Sequence, residues 1–160
     1  MDYTAHYDSP LGGITLGSDG TVLIGLWFDG QKHFGSTFGT QAGMPAELPI
    51  FDETRRWLDA YFSGHKPVFT PLMSLQGTVF QQCVWRELQA IPYGQTVTYG
   101  ELTRRLGIRS AQAVGGAVGR NPISIIVPCH RVVSAGGNLT GYAGGLDRKR
   151  KLLQLEQEGR

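Results

Sequence analysis

The sequence predicts an α+β protein: a small N-terminal α/β domain followed by a mostly helical C-terminal domain with a helix-turn-helix. Two apolar segments joined by a turn lie near the start, helical apolar spacing dominates after residue 77, and two short helical segments flank a glycine. We place the domains at residues 1–72 and 73–160. A chain of 160 residues, 41% of them hydrophobic, can form such cores.

The N-terminal domain is predicted to contain one hairpin and one helix. Residues 11–17 and 21–28 are strand-like, and Ser18-Asp19-Gly20 between them is a favourable hairpin turn. From Phe51 to Phe62 the apolar residues repeat at helical spacing. The other segments of this half are predicted to be a loop and a linker: residues 29–49 and 66–76.

The C-terminal domain is predicted to be helical in four places. Thr78 is suited to cap the first helix, which Ile91-Pro92-Tyr93-Gly94 ends. The next two helices are short, separated by Gly107, and match the helix-turn-helix pattern. The last three helices are predicted at Glu101–Leu106, Ala111–Gly119 and Leu146–Glu158.

The helix at 111–119 consists largely of small residues, and two interpretations of them stay open. Small side chains allow a close approach to nucleic acid, and they equally allow close packing on a neighbouring helix. The charge distribution is weak evidence for a polyanion partner. Residues 1–72 contain four basic and eight acidic residues, net −4, whereas residues 73–160 contain eleven and five, net +6.

Several classes of protein are not expected. No segment approaches the roughly 20 apolar residues that span a bilayer, and the start, Met1-Asp2-Tyr3-Thr4, lacks the features of a signal peptide. We therefore expect a cytosolic protein with free thiols and no membrane partner. Four scattered histidines and two distant cysteines predict no metal site.

Cys129 is the strongest candidate for chemistry. It follows Pro128 at the end of Ile123–Val127, a β-branched run predicted to be a buried strand. A thiol at that position would be rigid yet accessible. Positive charge at His130 and Arg131 would lower its pKa and increase the thiolate fraction. The alternative is a small buried hydrophobic side chain, the commonest role of a free cysteine.

Three other residues also have two interpretations. Cys83 lies on a predicted helix among apolar residues, which favours a buried structural role. His130 could be a general base beside Cys129, directly or through a water, or a structural histidine. Glu156 could orient that histidine, although the helical pattern by itself favours an ordinary surface acid.

Together these segments resemble the O6-alkylguanine-DNA alkyltransferases, the methylated-DNA–protein-cysteine methyltransferases. The resemblance is nearly continuous from Gly77 to Glu156 and centres on Asn121–Val132, which is similar to the family's active-site signature. Residues 9–12 and 58–64 resemble, more loosely, the family's first domain, an RNase H-like sheet plus helix. Supporting segments are Thr78–Gln81, Val84-Trp85, Ile91–Gly94, Tyr99–Leu102 and Gly141–Leu146.

The resemblance implies DNA repair by direct reversal. Cys129 would accept the alkyl group of a flipped O6-alkylguanine in one irreversible turnover, and O4-alkylthymine would be a further substrate. His130 would take the thiol proton through a water, with Glu156 behind it. Tyr99 would bond N3 of the base, and Asn121 would hold the turn before the signature. The base pocket would comprise Val132, Tyr142, Ala143 and Gly144.

The resemblance also implies the partner and the surface that binds it. Double-stranded DNA would be bound through its minor groove by a protein that is monomeric in solution and needs no cofactor. The implied DNA-binding residues surround the second helix of the pair: Arg109, Ser110, Ala111, Gln112, Gly115 and Arg120.

One residue departs from the family pattern. Gln112 stands where many members have an arginine that fills the gap left by the flipped base. Glutamine has no charge and less reach, although it can still hydrogen-bond the orphaned base, and Arg109 or Arg120 could substitute. The departure puts nucleotide extrusion and affinity in question more than the chemistry.

Overall fold

The computed structural model describes residues 1–39 and 43–159, and its N-terminal half is built on a four-stranded sheet. Neighbouring long strands are antiparallel, and the two-residue β4 is parallel to β1. The strands lie in the order β3-β2-β1-β4: β1 (Tyr3–Ser9), β2 (Gly12–Ser18), β3 (Leu23–Phe28) and β4 (Met44–Pro45).

The predicted hairpin, β2–β3, is held by its turn residues. Ser18 Oγ donates to the carbonyl of Val22 at 2.6 Å, and Asp19 Oδ1 accepts from two backbone N–H groups. Gly20 has a φ of 111°, a conformation that side chains disfavour. β1 was not predicted, because its side chains are mostly polar or aromatic and only partly buried.

One helix, α1 (Pro49–Phe62), packs on this sheet, close to where the sequence predicts it. Pro49 suits the first turn, where no N–H is needed. Ser63 and Gly64 follow the last turn as expected, and Gly64 has a φ of 89°. The buried face of α1 is continuous: Ile50, Phe51, Thr54, Trp57, Leu58 and Tyr61.

The C-terminal half contains the four predicted helices, which confirms the α+β arrangement. Thr78 and Gln81 form a reciprocal capping box, with both hydrogen bonds at 3.0 Å. Two short parallel strands also pair in this half. The elements are α2 (Val79–Gln89), β5 (Val97–Thr98), α3 (Tyr99–Leu106), α4 (Ala111–Gly119), β6 (Val132–Val133) and α5 (Leu146–Glu158).

The helix-turn-helix consists of α3 and α4. Gly107 ends α3 with a φ of 67°, and Ser110 Oγ caps α4 by accepting from the backbone at 3.0 Å. The small residues of α4 divide between the two interpretations. Ala117 is buried against α2, whereas a Cβ added at Gly115, Gly116 or Gly119 would meet nothing within 4 Å among the described residues. The glycine face of α4 is therefore open.

The predicted strand at residues 123–127 is wrong. The segment is buried as expected, but it forms irregular turns, and Ile125 has a φ of 71°. The segment does not form a continuous strand ladder, but it makes two backbone hydrogen bonds to β3. The N–H of Leu26 donates to the carbonyl of Pro122, and the N–H of Ser124 donates to the carbonyl of Leu26, both at 2.9 Å. This contact joins the two halves of the chain in the segment that precedes Cys129 in the sequence.

The buried role expected for Cys83 is also wrong. Cys83 is exposed on α2, whereas Val84, Trp85 and Leu88 form the buried side of that helix. A run of neighbouring apolar residues did not identify which side of the helix faces the core. Within the described residues, no helix is long and apolar enough to cross a membrane.

Asn121→Ala is expected to lower the free energy of unfolding by about 2–5 kcal/mol. The buried amide donates to the carbonyl of Val127 at 2.7 Å and accepts from the N–H of Ile123 at 3.0 Å, so the variant leaves two backbone groups unpaired. Urea unfolding measures the loss. Asn121→Asp should be no better, because an oxygen then faces the Val127 carbonyl. Asn138→Ala, in an exposed turn, is the matched control and should unfold like the wild type.

Candidate active site

A cavity of about 270 Å³ opens beside the helix-turn-helix, with Cys129 among its lining residues. It lies between the glycine face of α4, the loop before α5 and the residues that follow β3. Cys129 is only 5% exposed, so the thiol is reached through this cavity. The lining residues are Lys32, His33, Tyr99, Gly115, Gly116, Val118, Gly119, Arg120, Cys129, Gly141, Tyr142 and Ala143.

The thiol of Cys129 is held in a 3-10 turn, and it is protonated at rest. Burial raises its pKa, although the Asn121 amide and the Lys149 ammonium partly offset that rise. We expected His130 and Arg131 to lower the pKa of this thiol, and that expectation is wrong, because the net shift is upward. A reaction at this sulfur requires a base.

The carboxylate of Glu156 accepts four hydrogen bonds behind the thiol. Oε2 accepts from His130 Nε2 at 2.5 Å and from the Tyr61 hydroxyl at 2.6 Å. Oε1 accepts from Arg131 Nε at 2.7 Å and from the backbone N–H of Gly94 at 3.1 Å. Burial raises the pKa of Glu156, but the His130 and Arg131 bonds outweigh it and hold that pKa well below its usual value.

The surface role that the helical pattern favours for Glu156 is thus wrong, since the residue is 3% exposed. Its helix face contained a signal. Lys149, Leu152 and Glu156 are spaced for one side of α5, and all three are buried. Two charged residues on a buried helix face are unusual unless they have partners.

His130 is buried and oriented by this carboxylate. Because Nε2 bonds an ionised Glu156, we assign the proton to Nε2, which leaves Nδ1 as an acceptor. Nδ1 is buried and has no hydrogen-bond partner among the described residues. Burial lowers the pKa of His130 more than Glu156 raises it, so the ring is neutral near pH 7. A neutral imidazole with a free Nδ1 can accept a proton.

Tyr99 begins α3 and presents its ring to the cavity. Its hydroxyl donates to the carbonyl of Thr140, at a long 3.4 Å. Burial and the neighbouring Cys129 raise the pKa of Tyr99, so the hydroxyl stays protonated and can act as a donor.

The predicted base-pocket residues fall into two groups. Tyr142 and Ala143 line the cavity, whereas Val132 is fully buried beside it and Gly144 is buried next to Tyr142. All four carbonyls of this set already accept a hydrogen bond, those of Tyr142 and Gly144 from Gly145 and Arg148 in the same segment. Lys149 Nζ donates to Val132 at 2.6 Å, and the backbone N–H of Lys32 donates to Ala143 at 3.2 Å.

The predicted DNA-binding residues lie on the open side of the cavity. Gly115 and Arg120 line it directly. The other four are exposed around the start of α4: Arg109, Ser110, Ala111 and Gln112. The structure thus brings the helix-turn-helix surface and the thiol to one face.

Some residues near the thiol were not predicted as site residues, among them Lys149, Lys32 and His33. Lys149 is fully buried and donates to three carbonyls, two of them in the loop beside the cavity. Lys32 and His33 line the cavity from the N-terminal half. No sequence motif marks these two, because they come from a segment with no regular spacing.

Among residues 1–39 and 43–159, no group of three or more His, Cys, Asp or Glu side chains could hold a metal ion. The chemistry available at the cavity is that of a thiol, an imidazole and a phenol.

The fold and the site together define an α+β protein with a helix-turn-helix beside a buried thiol. Comparisons with known proteins narrow this class. The family described as "6-O-methylguanine DNA methyltransferase, DNA binding domain" matches residues 79–158. Its companion, "6-O-methylguanine DNA methyltransferase, ribonuclease-like domain", matches residues 3–73.

Individual relatives agree with the family match. The methylated-DNA–protein-cysteine methyltransferase of Mycobacterium leprae is 47% identical over 158 residues, 98% of this chain and 93% of that protein. The Haemophilus influenzae protein of the same name is 41% identical, over 97% of this chain and 86% of its own length. The structure of Mycobacterium tuberculosis OGT in complex with DNA is 44% identical with a TM-score of 0.87, covering 97% of this chain and 92% of that one.

The chain therefore belongs to the 6-O-methylguanine DNA methyltransferase family. This confirms the resemblance inferred from the signature around Cys129, and with it the enzyme class, a methylated-DNA–protein-cysteine methyltransferase. DNA binding and DNA repair by alkyl transfer agree with the same matches.

Glu156→Gln is expected to lower the free energy of unfolding at pH 7 by about 3–5 kcal/mol, because it leaves Arg131 without its buried counter-charge. The folded pKa of Glu156 lies below its usual 4.5, so its contribution is complete above that pH and is lost as the pH falls through the folded value. The difference in free energy of unfolding between Glu156→Gln and the wild type should therefore become smaller below about pH 4.5.

Denaturant unfolding at a series of pH values measures this difference. Glu158→Gln, on the exposed side of the same helix, is the matched control and should follow the wild type throughout. A constant difference between Glu156→Gln and the wild type from pH 7 to pH 3 would show that the carboxylate is not held ionised.

Proposed function

We propose that this protein repairs alkylated DNA by moving the alkyl group from O6 of guanine to Sγ of Cys129. One observation carries the proposal. The buried thiol of Cys129 borders a cavity, and the next residue, His130, is bonded to the ionised carboxylate of Glu156. Membership of the family supports the reaction class. The position of Cys129 in the cavity supports it as the acceptor.

The first step is removal of the thiol proton. Nδ1 of His130 accepts that proton through a water molecule, and Glu156 stabilises the imidazolium that results. Because burial raises the thiol pKa and lowers the imidazole pKa, both groups start neutral. Charge therefore develops only as the reaction proceeds.

The second step is displacement at the alkyl carbon. The thiolate of Cys129 forms a carbon–sulfur bond as the bond from that carbon to O6 breaks, and the electron pair goes to guanine. Tyr99 donates a hydrogen bond to N3 of the base and stabilises this charge. The proton taken from the thiol finally returns to guanine, so that neutral guanine is released.

The thioether that remains on Cys129 is a poor leaving group, which makes the transfer irreversible and each molecule a single-use acceptor. Backbone groups of Cys129, Val132, Ala143 and Gly144 are proposed to read the base edge. The carbonyls of Val132 and Ala143 already accept one bond each, but a carbonyl oxygen has a second lone pair for a base. Tyr142 forms part of the pocket wall.

The base must leave the stack to reach a buried thiol, so we propose that it flips into the cavity at a cost of a few kcal/mol. The helix-turn-helix enters the minor groove. Its glycine face is open, and the half that carries it is the basic one, with net charge +6. The residues proposed to contact DNA are Arg109, Ser110, Ala111, Gln112, Gly115 and Arg120.

Four further features belong to the same proposal. Residues 1–72 and 73–160 act as two domains, the first structural and the second bearing the chemistry. The protein is monomeric, works in the cytosol, and also accepts the alkyl group of O4-alkylthymine. The shared geometry of an alkylated exocyclic oxygen supports the second substrate.

With duplex DNA containing O6-methylguanine, the protein is expected to gain one methyl group, located on Cys129 by peptide mass spectrometry. Cys129→Ala should gain none and keep its affinity for the same DNA, because the thiol supplies chemistry rather than contacts. Cys83→Ala, the same change at an exposed thiol, is the matched control and should accept the methyl group normally.

Three outcomes would contradict this assignment. An intact mass that never changes while the lesion is bound would indicate a non-catalytic lesion sensor. A methyl group on Cys83 would show that the acceptor is the thiol on α2 and not Cys129. A large loss of affinity in Cys129→Ala would indicate that the thiol contributes to DNA binding.

Gln112→Ala is expected to slow methyl transfer on duplex DNA, and Gln112→Arg to accelerate it, because the exposed side chain at the start of α4 fills the gap left by the base. Single-turnover kinetics compare the three proteins. On single-stranded DNA, which has no orphaned partner base, their rates should converge. Equal rates on duplex DNA would reject a wedge function for Gln112.

A further inference from the structure

The N-terminal half supplies one of the four hydrogen bonds to Glu156, from a residue that the mechanism above does not use. Tyr61 lies on α1 and is fully buried. Its hydroxyl donates to Glu156 Oε2 at 2.6 Å and lies 3.5 Å from His130 Nε2. The other three donors to Glu156 all come from residues 94–131.

We propose that Tyr61 is a positioning residue for alkyl transfer: its hydroxyl fixes Glu156 from the N-terminal half and sets the basicity of His130. This proposal rests on the proposed function, because it assigns to His130 the role of base. Tyr61 itself does not touch the thiol or the DNA base. It acts through the carboxylate.

The ring of Tyr61 is explained by packing, but its hydroxyl is not. The ring stacks on Trp57, with centroids 5.3 Å apart and planes at 9°, and lies edge-on to Phe62 and Tyr93. A phenylalanine would satisfy all of these contacts. The hydroxyl therefore has a separate effect, exerted on the one carboxylate oxygen that also holds the histidine.

That effect is electrostatic. Oε2 of Glu156 shares its charge between two donors, His130 and Tyr61, so the phenol neutralises part of the charge that the imidazole faces. Burial and Glu156 raise the pKa of Tyr61 well above its usual value, so the hydroxyl stays protonated and is the donor to the carboxylate. Without the hydroxyl, the carboxylate would favour imidazolium more strongly, and the pKa of His130 would rise.

Several other groups also face His130, and they remain unchanged in the test. Arg131 and Lys149 oppose its protonation, whereas Glu156 favours it. The ring of Tyr142 lies edge-on, with centroids 6.5 Å apart. Among the described residues, the titratable and charged groups around His130 are Tyr61 from α1, Cys129 and Arg131 beside it in the chain, Tyr142 from the loop before α5, and Lys149 and Glu156 from α5.

The test measures the single-turnover rate of methyl transfer from O6-methylguanine duplex DNA between pH 5.5 and 8.5. In Tyr61→Phe, the acidic limb of this profile should shift to higher pH by about half to one unit, because the pKa of His130 rises. The largest loss of rate should therefore occur at the acidic end. Incorporating 3-fluorotyrosine at position 61 keeps the bond but strengthens the donor. It should move the limb in the opposite direction.

Tyr93→Phe is the matched control. Its hydroxyl is buried near the same site but has no hydrogen-bond partner among the described residues, and its ring contacts that of Tyr61. The NMR titration of His130 in the free protein is a second readout that needs no transfer. It should show a higher pKa in Tyr61→Phe and no change in Tyr93→Phe.

The outcomes separate the two proposals. A wild-type protein that gains no methyl group overturns the proposed function, whatever the NMR titration shows. A wild-type protein that transfers, with Tyr61→Phe matching Tyr93→Phe in both profile and titration, overturns the role of Tyr61 alone. A uniform loss of rate without a shift in either measurement would also overturn it, because it would indicate packing only.

Discussion

The buried carboxylate of Glu156 is the interaction on which the rest of the site depends. A charge taken out of water is tolerated only when its partners are complete, because an unpaired one costs several kcal/mol. Glu156 meets this condition with donors from α1, from the turn at Gly94 and from two consecutive residues after Cys129. The orientation of His130 therefore depends on the packing of both halves of the chain.

Burial has opposite consequences on the two sides of His130. Towards the cavity, the thiol, the imidazole and the phenol of Tyr99 are all uncharged near pH 7, because desolvation disfavours the charged form of each. Behind the imidazole, Glu156 and Arg131 form a buried ion pair. A flipped base would meet uncharged groups next to the thiol, with the charged side chains of Lys32 and Arg120 elsewhere in the cavity lining. The charge that develops on His130 already has its counter-ion in place.

The open face of α4 connects this pocket to the surface. Gly115, Gly116 and Gly119 leave space that no neighbouring helix fills, and the same residues line the cavity over Cys129. The irregular segment at residues 123–127 then returns the chain from α4 to the thiol, tied to β3 on one side and to Asn121 on the other. The glycine face of α4 therefore borders the route from the surface to Cys129.

The sequence by itself determined the order of the five helices and the β2–β3 hairpin, the cap at Thr78, and the family, because helical spacing, capping and a continuous signature are local in the chain. Local patterns misjudged residues 123–127, Cys83 and the burial of Glu156, which only the resemblance placed behind His130. Nothing in the sequence indicated the hydrogen bond from Tyr61 to Glu156. Those residues depend on contacts far apart in the chain: Tyr61 and Glu156 are separated by 95 positions. Whether a side chain is buried, which partner it meets and which way its pKa moves were decided only by the tertiary structure, because desolvation and hydrogen bonding arise between segments rather than within them.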